Sequence, residues 1–370
     1  MNKKITTAGV AALSAAVLFT GCGSINGNAT LATLNTGDGT KETVSLGYGN
    51  FAARYQQSMY DQYLIAYYGE SMWSSDMSGS GKTLQEDTKE GVLEDIEEQY
   101  LAKLHAADYG VELSEEQKTA IADAAKKFMA DNSEESLKVM GATEEYVKQY
   151  LENRTYYYLV SEAAKKAADA DISEDDCWMR SFSYVLFDTT GTQAEDGTVV
   201  ELSDDEIAEI KTQAKKLSTA EDFDAEVEAQ EKTTSSYSYL KGETEDSSMD
   251  MAIINAAEKL KEGEVSSVIE VEGVGFYVLR LDADHDADAS DNKRASLQTD
   301  AFTALMDSWK EAVTWEVDEK AWEKVKFDTL FKAPETEEEA TEETTEESSD
   351  DTTTVTSEST AEETETTDEN

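Results

Sequence analysis

Apolar positions recur every three to four residues through the first half of the chain. Tyr55, Met59, Tyr63 and Tyr67 form one series, and Val92, Leu93, Ile96, Tyr100, Leu101 and Leu104 form another. Each series falls on one face of a helix. Ser114-Glu115-Glu116-Gln117 reads as a capping box opening a third helix, with Ile121, Ala124, Ala125 and Phe128 turned inward. Tyr146, Val147, Tyr150 and Leu151 open a further helix that runs towards Ala168. Residues 43–172 therefore read as all helical.

The period changes after Ile172. Residues 181–187, Ser-Phe-Ser-Tyr-Val-Leu-Phe, predict a buried strand. Ser203 to Glu206 form a second capping box, and Ile207, Ile210, Ala214 and Leu217 give its helix a buried face. Phe223 and Val227 mark a short helix, 237–240 a strand and 252–260 another helix. Residues 264–269 and 275–281 predict two closing strands joined by a Glu-Gly turn. Helical spacing then returns with Phe302, Leu305, Met306, Trp309, Ala312 and Val313, and a last helix holds Trp322 and Val325. The fold class is α+β: a helical domain assembled from residues 43–172 and 290–332, with an α+β domain at 177–283 inserted into it.

The two ends read differently. Lys3 and Lys4 precede an apolar run over 8–19 that ends in Thr20-Gly21-Cys22. That order is a secretion signal closed by a lipobox. Residues 1–21 are then a removable address, and the Cys22 thiol carries a diacylglyceryl lipid. Residues 22–42, rich in Gly, Asn, Thr and Ser, are expected to be a flexible tether. Residues 334–370 hold 16 acidic residues and no Lys or Arg, a composition expected to stay disordered.

Charge narrows the function classes. The formal net charge is −50, and removing the 16 acids of the tail still leaves −34 on the rest. Nucleic acid is not an expected partner, because binding it requires basic patches. Cys22 and Cys177 are the only cysteines and His105 and His285 the only histidines. With Cys22 lipidated no internal disulfide can form. So few ligands do not support a zinc centre or a Ser-His-Asp triad, so no metal and no cofactor are expected.

The layout resembles the extracytoplasmic parvulin foldases of the PrsA/SurA type. The resemblance spans about residues 43–330 and is most specific in the inserted domain. Residues 181–187 look like its opening strand, and 221–225, Glu-Asp-Phe-Asp-Ala, like the motif after its first helix. Leu260-Lys261-Glu262-Gly263-Glu264-Val265-Ser266, followed by Gly275-Phe276-Tyr277-Val278-Leu279-Arg280-Leu281, looks like its closing signature. The resemblance implies a SurA-like helical chaperone domain, unfolded or nascent secreted proteins as partners, and peptidyl-prolyl isomerase chemistry. It also implies an extracytoplasmic bacterial address, Gram-positive by the PrsA likeness, and allows a homodimer.

The departures concern the catalytic positions. Active parvulins carry a histidine in the first strand and another in the last; Tyr184 and Tyr277 stand there. The family's further polar group falls near Gln230 or Glu231, and its Gly-Gly-x-Leu-Gly turn is replaced by residues 234–238, Thr-Ser-Ser-Tyr-Ser. The proline-pocket Met and Phe correspond to Met249 and Ile253, with Phe276 and Leu186 as further peptide-binding candidates.

Isomerising an X-Pro bond means lowering a barrier of about 18–20 kcal/mol by favouring the twisted amide. A phenol donates a hydrogen bond but does not reproduce an imidazole pair. The expected function is therefore a lipid-anchored chaperone or foldase whose parvulin domain is weak or inactive. An active isomerase is the alternative, and a solute-binding lipoprotein a lesser one. Tyr55, Met59, Tyr63, Tyr67, Tyr68, Met72 and Trp73 are candidates for a client cradle, set against the plainer reading that they form core.

Overall fold

The computed structural model describes residues 25–37, 39–193, 197 and 199–331. The signal segment, the lipidation residue Cys22 and the acidic tail lie outside them. In chain order the elements are β1 (Thr30–Thr36), β2 (Lys41–Ser45), α1 (Leu46–Tyr68), α2 (Leu84–Leu104), α3 (Glu115–Asp131), α4 (Glu134–Met140) and α5 (Glu144–Ala168). There follow β3 (Met179–Asp188), β4 (Thr192–Gln193), β5 (Val199–Val200), α6 (Asp204–Ser218), α7 (Phe223–Ala229), β6 (Ser235–Leu240) and α8 (Met251–Ala257). The chain closes with β7 (Ile269–Val271), β8 (Gly275–Ala283), α9 (Ala287–Ala312), β9 (Val313–Val317) and α10 (Glu319–Trp322).

Helix starts follow the local chemistry. Thr83, Ser114 and Ser203 each accept from the third backbone N–H of their helices, and Glu86, Gln117 and Glu206 return the bond to the cap. Those reciprocal bonds satisfy donors that a helix end would otherwise leave open.

The helical unit is closed by the two ends of its sequence. The segment 22–42, expected to be a tether, contains β1 and the start of β2. Leu31, Ala32 and Leu34 are buried, and β1 pairs antiparallel with β2 on one side and β9 on the other. The Gly/Asn/Thr composition hides this strand because its core-facing residues are few. The helical stripe expected to include Val313 likewise stops at Ala312, where Val313-Thr314-Trp315-Glu316-Val317 alternates as β9. A strand partner, rather than propensity, decides both segments.

Leu31, Val44, Tyr48, Trp73, Trp322, Val325 and Phe327 share one core cluster. Polar contacts pin the same junction. Buried Lys89 donates to the carbonyls of Trp322 and Val325 at 2.9 and 3.0 Å. Buried Arg54 donates to Asp328 at 2.7 Å and to Gln57 at 2.9 Å. Asp61 accepts from Trp73 Nε1, Gln57 and the Phe331 backbone N–H. At Gly49 an added Cβ would stand 2.1 Å from Leu31 Cδ2, so the glycine lets β1 lie directly on α1.

The α+β unit is built on the antiparallel sheet β6-β3-β8-β7. Its two faces are separate cores. Phe182, Tyr239, Ile253, Ile254, Leu279 and Leu281 pack under α8 on one face. Val185, Phe187, Phe276 and Val278 pack against Ala214, Leu217, Phe223 and Val227 of α6 and α7 on the other. Of the strand expected at 264–269, only Ile269 belongs to β7, while Val265 makes a single bridge to Arg280.

Candidate functional site

β3 and β8 are the central strands of the α+β sheet, and their register decides which candidate side chains meet. Tyr184 lies opposite Leu279, and Leu186 opposite Tyr277. Tyr184 and Tyr277 are thus diagonal neighbours on one face, with ring centroids 5.7 Å apart at 37°. Phe182 supports Tyr184 from behind at 5.9 Å and also contacts Tyr237 and Tyr239. The result is an aromatic row across β6, β3 and β8.

The loop before α8 is tied to this row. Tyr237 donates its hydroxyl to Asp246 Oδ2 at 2.7 Å, and Asp246 Oδ1 accepts from the backbone N–H of Ser248 and Met249. Burial, and then the bond to the Asp246 carboxylate, push the Tyr237 phenol up to about 12. The same hydroxyl holds Asp246 below the usual carboxylate range. Burial, with the neighbouring Tyr184 phenol second, raises Tyr277. Its hydroxyl is therefore a neutral donor and acceptor at physiological pH, not a base.

The candidates do not all converge. Tyr184, Leu186 and Tyr277 are half-buried on the α8 face, beside half-buried Met251, Ile269 and Val271. Met249 and Ile253 reach the same cluster, but Ile253 is 1% exposed and serves as core beneath the row. Phe276 corrects the expectation. Strand alternation turns it to the opposite face, into the α6–α7 core, so it cannot share a surface with Tyr277. The expected further polar group is displaced as well, by its place at the end of α7. Gln230 caps α7 and donates to Gln213 O and Glu226, and Glu231 next to it adopts a left-handed φ of 53°. α7 packs on the face away from the tyrosines.

Sequence reasoning missed the Tyr237–Asp246 latch and the role of Arg180. Arg180 is 3% exposed and donates to Tyr239 OH at 3.0 Å and Leu260 O at 2.8 Å, with Glu258 and Asp284 as ion partners. It clamps the end of α8 to the sheet. A lone charge inside the apolar alternation of β3 was the available signal. The arrangement offers an apolar, aromatic surface with two phenols. It can hold a proline ring or another apolar side chain and donate to a peptide carbonyl.

Among the described residues no cluster of His, Cys, Asp and Glu could hold a metal ion, and no helix is long and apolar enough to cross a membrane. His105 and His285 lie apart, stacked on Trp309 and Trp178 at 4.3 and 4.4 Å. Of the cradle candidates, Met72 and Trp73 are buried core, whereas Tyr63, Tyr67 and Tyr68 at the end of α1 are exposed.

Residues 187–291 match the family model of the PPIC-type PPIase domain, so the inserted unit is parvulin-like. The match includes Tyr277 and begins just after Leu186, leaving Tyr184 outside it. No curated protein matches the chain in sequence. Among solved structures, the chain is similar to SurA-like chaperones of Campylobacter jejuni (11% identity, 78% of this chain and 99% of that one, TM-score 0.27). It is also similar to the peptidylprolyl isomerase PrsA of Bacillus anthracis (16%, 59% and 95%, 0.24) and the foldase protein PrsA of Lactococcus lactis (15%, 66% and 95%, 0.28).

Proposed function

We propose that the chain is a membrane-anchored, extracytoplasmic chaperone of the foldase kind, acting on unfolded secreted proteins. Its parvulin-like domain holds peptide rather than isomerising it efficiently. The observation that carries this reading is the Tyr184–Tyr277 pair. It occupies the sheet face that the family resemblance makes catalytic, but it presents two phenols and no imidazole. The polar group expected to complete the cluster, Gln230 or Glu231, follows the C-terminal end of α7, which packs on the opposite face of the sheet. An apolar surface with hydrogen-bond donors suits peptide binding. Without a group that follows the twisted amide, binding alone does not lower the barrier. The match to the PPIC-type domain over 187–291 supports the peptide-binding half of the reading. Lipidation at Cys22 supplies the anchor, and domain boundaries near 177 and 283 leave the helical unit to hold the larger client.

The test uses the purified full chain. It should delay aggregation of a reduced, unfolded client while accelerating X-Pro isomerisation in a reporter peptide weakly or not at all. Any residual rate should be unchanged in Tyr184→Phe/Tyr277→Phe. Strong isomerisation lost in that variant would establish an active isomerase, and failure to delay aggregation would remove the chaperone role.

A further inference from the structure

The chain is held in place from just behind its lipidation residue. Ile25 is half-buried against the core cluster of Leu31, Tyr48 and Trp322. Ala29 N–H donates to Asn26 O at 3.0 Å, and Asn28 N–H to Asn26 Oδ1 at 3.2 Å, which closes a turn. Gly47 N–H donates to Gly27 O at 3.0 Å, and Leu46 N–H to Ala29 O at 2.7 Å, which ties that turn to the start of α1. Tyr146, in the first turn of α5, packs on both. Its hydroxyl lies 2.2 Å from where a Cβ on Gly47 would stand and 3.5 Å from where one on Gly27 would. Residues 25–30, the start of α1 and the first turn of α5 thus form one pole of the helical unit.

This pole has almost no slack behind it. Cys22 lies three residues before Ile25, and three residues at full extension span at most about 11 Å. A free chain of about 20 residues, the tether that composition suggested, would reach about 25 Å root-mean-square. A lipid on Cys22 therefore holds the pole against the headgroup layer rather than above it. The chemistry of the pole suits that contact. No Asp, Glu, Lys or Arg occurs from residue 5 to 37, in a chain that is 30% charged. Asn28, Thr30 and Thr43 are exposed there. With Gln149 they line a 320 Å³ groove in which Glu145 is the only charged lining residue. Hydroxyl and amide donors can pair with phosphate and ester oxygens without adding charge. The remaining body is strongly acidic and is repelled by an anionic bilayer.

α5 sets where the α+β unit lies. Its 25 residues run from the pole to Ala168, a length of about 37 Å. At the far end Arg294 and Gln298 of α9 each donate to Asp169 at 2.9 Å. Met179 N–H, at the start of β3, donates to Ser290 Oγ at 3.0 Å. The α+β unit is fastened there, at the opposite end of α5 from the anchor.

We infer that the pole formed by residues 25–30, Thr43 and the first turn of α5 docks directly on lipid headgroups, while α5 carries the α+β unit away from the membrane. The contact rests on membrane anchoring through Cys22 and adds to it which surface meets the lipid.

The experiment uses the lipid-modified full chain in vesicles of phosphatidylcholine and phosphatidylglycerol that contain a headgroup-labelled acceptor lipid. A donor dye is attached at Asn28→Cys or, near the far end of α5, at Lys166→Cys; both positions are exposed and Cys177 is buried. Energy transfer should be at least about twofold more efficient from position 28, because roughly 30 Å of α5 separates Lys166 from the pole. Inserting about 20 Gly/Ser residues between Ser24 and Ile25 should lower transfer from position 28 at least about twofold by restoring a free tether. Equal transfer from the two positions, in protein that floats with the vesicles, would overturn the inference while the anchor stands. So would transfer from position 28 that the insertion leaves unchanged. Protein that does not float, or that floats equally well as Cys22→Ser, would remove the anchor and the docking with it. Delay of client aggregation by the same preparation reads the chaperone role separately.

Discussion

Leu31→Ala tests whether the N-terminal segment is structural. Leu31 is fully buried, in the same cluster as Trp73 and Trp322, and its Cδ2 sits where a Cβ on Gly49 would stand. Truncating a buried leucine costs about 2–5 kcal/mol, the upper part of that range applying where the site cannot collapse. Three packed elements (α1, β1 and α10) surround this one, so about 3 kcal/mol is expected. Gly49→Ala alone places a methyl 2.1 Å from Leu31 Cδ2. The overpacking costs about 1–3 kcal/mol and outweighs the roughly 1 kcal/mol gained from helix propensity. With Leu31 already shortened, that obstruction is gone and the nearest remaining atom, Trp322 Cζ3, is 3.4 Å away. Gly49→Ala should then be neutral or stabilising, so the double variant is more stable than the sum of the single effects predicts. Urea unfolding followed by tryptophan fluorescence measures all four proteins, with exposed Thr30→Ala as the control expected within about 0.5 kcal/mol. A Leu31→Ala cost no larger than that of Thr30→Ala, or additivity within about 0.5 kcal/mol, would refute the packing of β1 on α1.

Other expectations concern the closure and the α+β unit. Arg54→Ala should destabilise the helical unit by about 3 kcal/mol, because Gln57 loses a donor and Asp61 a compensating charge in a buried setting; chemical unfolding against Asp328→Asn, which should cost less because Asp328 is partly exposed, checks it. Burial raises the Asp61 carboxyl above its unfolded value, against the hydrogen bonds it accepts. Its contribution is therefore fully present below the unfolded carboxylate range and is lost as pH rises through the folded value. The parent's stability relative to Asp61→Asn should fall as pH rises from acid to neutral, and a rise in pH-resolved unfolding curves would contradict the burial argument. Ser203→Ala should cost about 1 kcal/mol by opening the capping box of α6, measured as a lowered urea midpoint of the α+β unit. Tyr237→Phe should free the 246–249 loop from β6, seen as faster amide exchange at Ser248 and Met249, with little change at Leu279.

Local signals were legible where they were self-sufficient. The capping boxes at Ser114 and Ser203 close on residues three positions away, so the sequence contains both partners of each bond. The switch from helical to strand periodicity after Ile172 marked the inserted α+β unit, because burying one face of a helix or a sheet leaves its own period in the chain. The Tyr184 and Tyr277 positions could be found by resemblance. That their rings meet at 5.7 Å could not, since it depends on the β3–β8 register.

What only the tertiary structure decided involves partners distant in sequence. β1 looked like a tether because Leu31 and Leu34 acquire meaning only when β9, nearly three hundred residues on, pairs with them. Val313 continued a helical stripe until the same pairing made it a strand residue. Phe276 and Tyr277 are neighbours in sequence yet belong to opposite cores, because a strand sends successive side chains to opposite faces. Sequence alone determines what each segment can do with its own neighbours. Which of those options is realised depends on long-range contacts, whose ordering cost is met only when the whole core assembles.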